Sequence, residues 1–256
     1  MKPSKLFSAK EEGMKRLKLF SAFVIAIILV SGVAHATPST HIWIPSTDIQ
    51  SYKKVHFGAD TYIKTASQDG VTEPTVTNLG LTVGVLPWEK FQMEIGLDYR
   101  DVGGNHTYPM LFNAKIGTPE DALFKYSPAI VIGGYDFGTK KDFSDYNIVY
   151  AIAAKTIGNL GRLSAGYYTG NDKLLLDING NKDNHGVLLA WDRTISEISD
   201  KLWFAVDYQG GKNGYGALSA AFAWKFAPNV GVIFGYDIYN ERSYKPTATI
   251  QLDIDF

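Results

Sequence analysis

Hydrophobic and polar residues alternate strictly over the last ten positions, Thr247 to Phe256. Ala248, Ile250, Leu252, Ile254 and Phe256 fall on one face; Thr247, Thr249, Gln251, Asp253 and Asp255 fall on the other. A period of two over that length predicts a β-strand with one apolar and one wet face. It is also the length of a strand that crosses a bilayer at a tilt. The pattern recurs upstream. In Phe91–Arg100 the apolar set Phe91, Met93, Ile95, Leu97 and Tyr99 opposes Gln92, Glu94, Gly96, Asp98 and Arg100. Strands are predicted at Val55–Lys64, Thr77–Leu86, Phe91–Arg100, Met110–Gly117, Ala129–Gly138, Tyr146–Ile157, Gly161–Gly170, Gly186–Arg193, Leu202–Gln209, Gly216–Phe226, Val230–Tyr239 and Thr247–Phe256. That is twelve strands, an even number.

The connections alternate as well. Those after the second, sixth and tenth strands are tight: Pro87–Lys90, Gly158–Leu160 and Ala227–Asn229. Those after the odd strands are longer and more polar: Thr65–Val76, Asp101–Pro109, Thr139–Asp145, Asn171–His185, Gly210–Tyr215 and Asn240–Pro246. Short turns on one rim and long loops on the other are a barrel signature. Thr118–Pro128 and Thr194–Lys201 depart from it on the short side. Trp191, Trp224, Phe226, Tyr99, Tyr167 and Tyr236 lie towards strand ends, where interfacial girdles sit.

The amino terminus reads differently. Met14-Lys-Arg-Leu-Lys18 is basic, Leu19–Val33 is mostly apolar, and Ala34-His-Ala36 is a small-x-small site. These are the three parts of a secretory signal peptide, expected over residues 1–36 with cleavage before Thr37. Met14 is a better start for such a leader than Met1. Residues 37–54, including His41-Ile-Trp-Ile-Pro45, are expected to form a periplasmic lead-in, a plug of the lumen or a short extra strand. The barrel is expected over 55–256.

With its signal peptide, alternation, loop asymmetry and terminal Phe256, the chain resembles Gram-negative outer-membrane β-barrel proteins, the porin-like class, from about Val55 to the end. The resemblance implies an all-β, single antiparallel transmembrane barrel in the outer membrane, with both termini in the periplasm. It also implies lipid around the barrel and recognition of the last strand, ending in Phe256, by the barrel-assembly machinery. No particular family is matched.

Composition adds two limits. The chain has no Cys, so no disulfide framework holds an exported fold together. Without residues 1–36 it carries 19 Lys/Arg and 24 Asp/Glu, a net charge of −5. No basic patch points to nucleic acid.

The face expected to line the lumen collects both signs of charge: His56, Asp60, Glu94, Asp98, Arg100, Lys115, Asp136, Lys155, Arg162, Asp192, Asp207, Lys225, Asp237, Asp253 and Asp255, with Lys54 and Lys64 beside them. A hairpin centred on Gly158-Asn159 would set Lys155 opposite Arg162. Like charges opposite one another destabilise a sheet pair, which calls for a carboxylate, and Asp192 is the candidate. Closing the last strand on the first would bring Asp253 and Asp255 to Lys54 and His56. Glu94 and Asp98 would flank Lys115. Gly and Ala on the same face, such as Gly58, Gly80, Gly84, Ala151, Ala153 and Ala221, leave space.

The expected function is a narrow, passive channel for ions or small polar solutes. The alternative is a closed barrel that anchors, adheres or docks a partner through its loops. An enzyme is disfavoured. None of His41, His56, His106 and His185 stands in the His-x-Ser arrangement of barrel deacylases, and Asp183 with His185 has a spacing common by chance. No cofactor or metal is expected. Asp177, Asn179, Asn181 and Asp183 alternate as in calcium loops, but the bidentate Glu is missing. The apolar run before them, Leu174–Leu176, would fold into the mouth, extend a strand or touch a partner.

Overall fold

The computed structural model describes residues 39–67, 70, 73–103 and 108–256. The expected signal peptide, with Met14 and the Ala34–Ala36 site, lies outside the described residues. So does His106.

Twelve antiparallel strands close into one barrel. They are β1 Val55–Lys64, β2 Val76–Gly84, β3 Gln92–Asp101, β4 Met110–Thr118, β5 Ala129–Gly138, β6 Ile148–Ile157, β7 Gly161–Thr169, β8 His185–Thr194, β9 Leu202–Gln209, β10 Ala217–Ala227, β11 Val230–Tyr239 and β12 Thr247–Asp255. Each pairs with its sequence neighbours, and β12 returns to β1 with His56 opposite Asp255 and Lys64 opposite Thr247. Closure leaves no free sheet edge, which a lipid environment requires.

The polarity of the wall is inverted relative to a soluble barrel. Side chains pointing inwards on β12 (Thr247, Thr249, Gln251, Asp253, Asp255) are buried. Those pointing outwards around the barrel, such as Leu81, Ile95, Ile132, Leu189, Phe222 and Ile250, are exposed. An apolar outer band around a polar interior is the arrangement of a barrel in lipid. Among the described residues no helix is long and apolar enough to cross a membrane.

Two local features correct the reading from sequence. The β6–β7 turn contains three residues, Gly158–Leu160, in a single 3-10 turn, with Gly161 at φ +102°. Ile157 therefore faces Gly161, Thr156 faces Arg162, and Lys155 faces Leu163. Shifting register by one residue moves every side chain on one strand to the other face. On β6 the inward set is Ile148, Tyr150, Ile152 and Ala154, all buried, whereas Ala151, Ala153 and Lys155 point outwards. The Ile-Val-Tyr-Ala-Ile-Ala-Ala run is apolar on both faces, so alternation does not fix its phase.

The second feature is in β5. Asp136 sits at φ +56°, and the β4–β5 register shifts between Phe112 and Ala114. A bulge of this kind turns two successive side chains to one side. Tyr135 and Asp136 both line the lumen as a result.

Candidate functional site in the barrel lumen

Residues 39–50 run inside the barrel. They form a tight hairpin in which Thr40 and Pro45 bridge, the His41 N–H donates to the Ile44 carbonyl at 2.8 Å, and that of Ser46 to Ser39 at 3.1 Å. The turn leaves the N–H groups of Ile42, Trp43 and Ile44 pointing the same way. All three donate to Oδ2 of Asp207 on β9, at 2.8, 2.8 and 3.2 Å. Successive amides converging on one oxygen make an anion-binding concavity; here a wall carboxylate fills it. Four further strands hold the hairpin. Gln251 of β12 donates to the Ile42 carbonyl at 2.8 Å, and Lys115 of β4 to the carbonyl of Ser39 at 2.8 Å. Arg162 of β7 pairs with Asp48 at 2.7 Å, and Glu94 of β3 accepts from the Gln50 N–H at 2.6 Å. The chain then leaves along β2, where Gly84 exchanges backbone hydrogen bonds with Lys53 and Lys54. A Cβ on Gly84 would stand 2.1 Å from the Ser51 carbonyl oxygen. Gly84 therefore permits a close backbone approach; the space it leaves is not open lumen.

The hairpin divides the lumen. On the β5–β8 side Ile44 and Ile49 pack into a buried cluster with Val131, Ile148, Tyr150, Ile152, Tyr168, Leu175 and Leu188. This explains the inward isoleucines of β6: they face the hairpin, not water. Leu175, from the apolar run in the β7–β8 loop, folds into the same cluster and is 1% exposed.

On the β1–β5 side a cavity of about 370 Å³ stays open between Trp43 and Pro45 of the hairpin and the wall. His56, Asp60, Glu94, Asp98, Arg100, Lys115, Asp136 and Asp253 line it. Their charges are largely paired. Arg100 makes a two-pronged contact with Asp136, at 2.7 and 2.8 Å. Lys115 meets Glu94 at 3.4 Å. His56 meets Asp255 at 2.8 Å and Asp253 at 3.3 Å. Tyr215, in the β9–β10 loop, caps the Arg100–Asp136 pair by donating to Asp136. Burial pushes its phenol well above the usual tyrosine range, and the Asp136 carboxylate adds to this, so the donor proton stays in place.

The remaining expected lumen residues take other places. Arg162 and Asp192 pair at 2.9 Å, with Asp48 completing the set that the sequence required near Arg162. Asp207 anchors the hairpin. Asp237 is buried and accepts from Thr247 at 2.8 Å. Lys225 borders a recess at the short-turn rim together with Asp48, Arg162 and Asp192. Asp98 does not flank Lys115; it accepts from the amides of Asn78 and Asn113. Lys54 joins neither Asp253 nor Asp255 in an ion pair. Phe256 pairs through its backbone with Val55.

Lys155 is a correction. It lies on the outer face, where it pairs with Glu120 at 3.0 Å and Asp121 at 3.2 Å in the β4–β5 turn. That turn, one of the two unexpectedly long ones, is bonded to the end of β6. Glu120 also accepts from the backbone and hydroxyl of Thr156, at 2.9 and 2.7 Å. Burial pushes its carboxyl up, but the bonds from Thr156 and Lys155 outweigh this and hold it below the ordinary range.

Sequence reasoning missed one constellation. His41 is fully buried, with Nε2 at 3.3 Å from Asp192 and 3.4 Å from the Ser164 hydroxyl. A nucleophilic relay needs the acid and the hydroxyl on opposite ring nitrogens. Here both meet the same one, so the contacts orient the ring and seat the hairpin. Asp183 and His185 do not pair: Asp183 accepts from the Lys212 N–H, and His185 lies against Asn184. Asp177 accepts from the N–H groups of Asn179 and Asn181, an Asx turn that stabilises the loop by itself. Among the described residues no group of His, Asp and Glu is arranged to hold a metal ion.

No protein-family model and no curated protein matches the sequence. Solved structures do match the fold. The KdgM porin aligns over 79% of this chain and 99% of its own, at 8% identity and a TM-score of 0.52. The chain shares its closed-barrel fold with that porin. The NanC porin covers 78% of this chain and 98% of its own at 11% identity, with a TM-score of 0.48. An outer-membrane channel from Pseudomonas putida F1 covers 86% and 99% at 11% identity, with a TM-score of 0.49.

Proposed function

We propose that this protein is a narrow, passive outer-membrane channel for ions and small polar solutes, constricted by its own segment 39–50. The observation that carries the reading is the cavity left open between that segment and strands β1–β5, with charged side chains in its lining. A barrel with no transport role has little reason to keep charged side chains facing unfilled space, because packing the lumen would be more stabilising. The apolar outer band supports placement in lipid, and the porin fold of KdgM supports the same class of function. The signal peptide would deliver the chain across the inner membrane, and the strand ending at Phe256 would present it to the assembly machinery. The short-turn rim then faces the periplasm, where residues 39–54 enter.

One observation favours the alternative, a closed barrel working through its loops: the hairpin and Leu175 fill the β5–β8 side of the lumen. Single-channel recording in a planar bilayer separates the two. Discrete steps support the channel. Gly58→Trp places its side chain in the cavity, since a Cβ there meets only His56 Nε2, at 3.7 Å. The variant is expected to reduce the steps severely. A folded, inserted barrel that is silent, or a Gly58→Trp barrel that conducts like the parent, would refute the channel.

A further inference from the structure

Resting on that reading, we infer that the open half of the lumen selects cations and accommodates a solute bearing an ammonium group. The first observation is the pairing of charge around the cavity. Its basic groups are committed: Arg100 to Asp136, Lys115 to Glu94, Lys64 to Glu73 at 3.1 Å, and His56 to Asp255 and Asp253. Two of its carboxylates are not matched by a cation. Asp98 accepts only from neutral amides. Asp60 has neither a hydrogen bond nor an ion pair among the described residues, although it faces the cavity.

The second observation is the shape of the wall beneath them. One rung crosses four strands: Asp253 lies opposite Gly58, Gly58 opposite Gly80, and Gly80 opposite Asp98. Two adjacent residues without side chains open a floor between carboxylates, with Asp60 one inward position above Gly58. A Cβ on Gly80 would come 2.7 Å from Asp98 Oδ1, so that carboxylate leans over the floor.

The third observation is aromatic. Towards the long-loop mouth Trp43 meets Tyr62 and Tyr239 edge to face, at 5.3 and 5.7 Å. An ammonium already rests there: Lys64 Nζ lies 4.6 Å above the Tyr239 ring and donates to the Lys245 carbonyl at 3.2 Å. Ring faces and a carbonyl that hold one primary ammonium suit another. A solute entering from this mouth passes from tyrosine rings to the unmatched carboxylates, an order that favours a cation and repels an anion.

The test has two arms. In a planar bilayer under a potassium chloride gradient, the reversal potential should show preference for potassium. Asp60→Asn breaks no hydrogen bond and should lower the potassium-to-chloride permeability ratio about threefold; adding Asp98→Asn should bring the loss to roughly tenfold. A parent channel that prefers chloride, or a ratio unchanged in the double variant, overturns the inference. The second arm is calorimetric titration of the detergent-solubilised full chain with putrescine. Saturable binding that the double variant loses supports the site, and absence of binding to the parent overturns it. A barrel that is electrically silent but binds putrescine at Asp60 and Asp98 refutes the channel while leaving the cation site standing.

Discussion

Asp207→Ala removes the anchor on which the internal hairpin depends. Its Oδ2 takes three backbone N–H groups, and the side chain is 1% exposed. A hydrogen bond to a charged group is worth about 1.5–3 kcal/mol, but three donors sharing one oxygen do not add fully. Deleting the carboxylate leaves three buried N–H groups without a partner, at about 1–3 kcal/mol each, or roughly 3–5 kcal/mol together because they shared one oxygen. That loss falls on the docked hairpin and not on the strand pairing of the barrel. At about 1.4 kcal/mol per decade, the docked-to-undocked ratio should fall roughly a hundredfold to several thousandfold. Asp207→Asn keeps an acceptor oxygen and should fall between the variant and the parent. Two readings report undocking. Ser46 is 1% exposed, and the chain has no Cys of its own. Ser46→Cys should therefore react slowly with an impermeant maleimide in the parent background and much faster alongside Asp207→Ala. The single-channel current should rise in step, as the hairpin vacates the lumen. If the Asp207→Ala barrel folds, shown by its heat-dependent migration, yet labelling and current match the parent, the anchoring role is wrong.

Two further outcomes follow from the outer face. Because Glu120 titrates below the ordinary value of about 4.3, its bonds to Thr156 and Lys155 stabilise the docked β4–β5 turn above that pH and are lost as pH falls through the lowered value. Pepsin digestion should then open the turn near Leu123 and Phe124 only at pH below the ordinary carboxylate range, whereas Glu120→Gln should be cut across the acid range; equal resistance of the two would exclude the effect. Lys155→Ala should leave the reversal potential unchanged, since Lys155 faces outwards, and a shift in ion preference would place it back in the lumen.

The strand count and the order of short and long connections were legible because they rest on a period of two and on turn composition, which are local. The charged pairs Arg162–Asp192, His56–Asp255 and Glu94–Lys115 were legible as neighbours for the same reason: adjacent strands in a meander fix them. What escaped was set by the interior. Whether β6 turned Ile152 or Ala151 inwards depended on Ile44 and Ile49, which come from a hairpin about a hundred residues earlier in the chain. A signal was present. An inward face of Ile, Tyr and Ile on β6, and Leu188 on β8, is too apolar for a water-filled pore and calls for something apolar opposite. The Asp136 bulge was hidden because nothing in Gly-Gly-Tyr-Asp-Phe-Gly marks a non-glycine residue at positive φ. The three amides on Asp207 were invisible because backbone donors leave no trace in side-chain chemistry.

The hairpin also changes what kind of object the barrel is. An empty twelve-stranded cylinder resists lateral pressure only through the stiffness of its sheet, and its cross-section can flatten into an ellipse. Here bonds run from one central knot to β3, β4, β7, β9 and β12, like spokes from a hub to a rim. A squeeze along any one diameter stretches or compresses contacts along the others. The interior segment therefore acts as a brace that holds the wall circular, so the width of the passage on the β1–β5 side is set by the protein and not by the tension of the surrounding membrane.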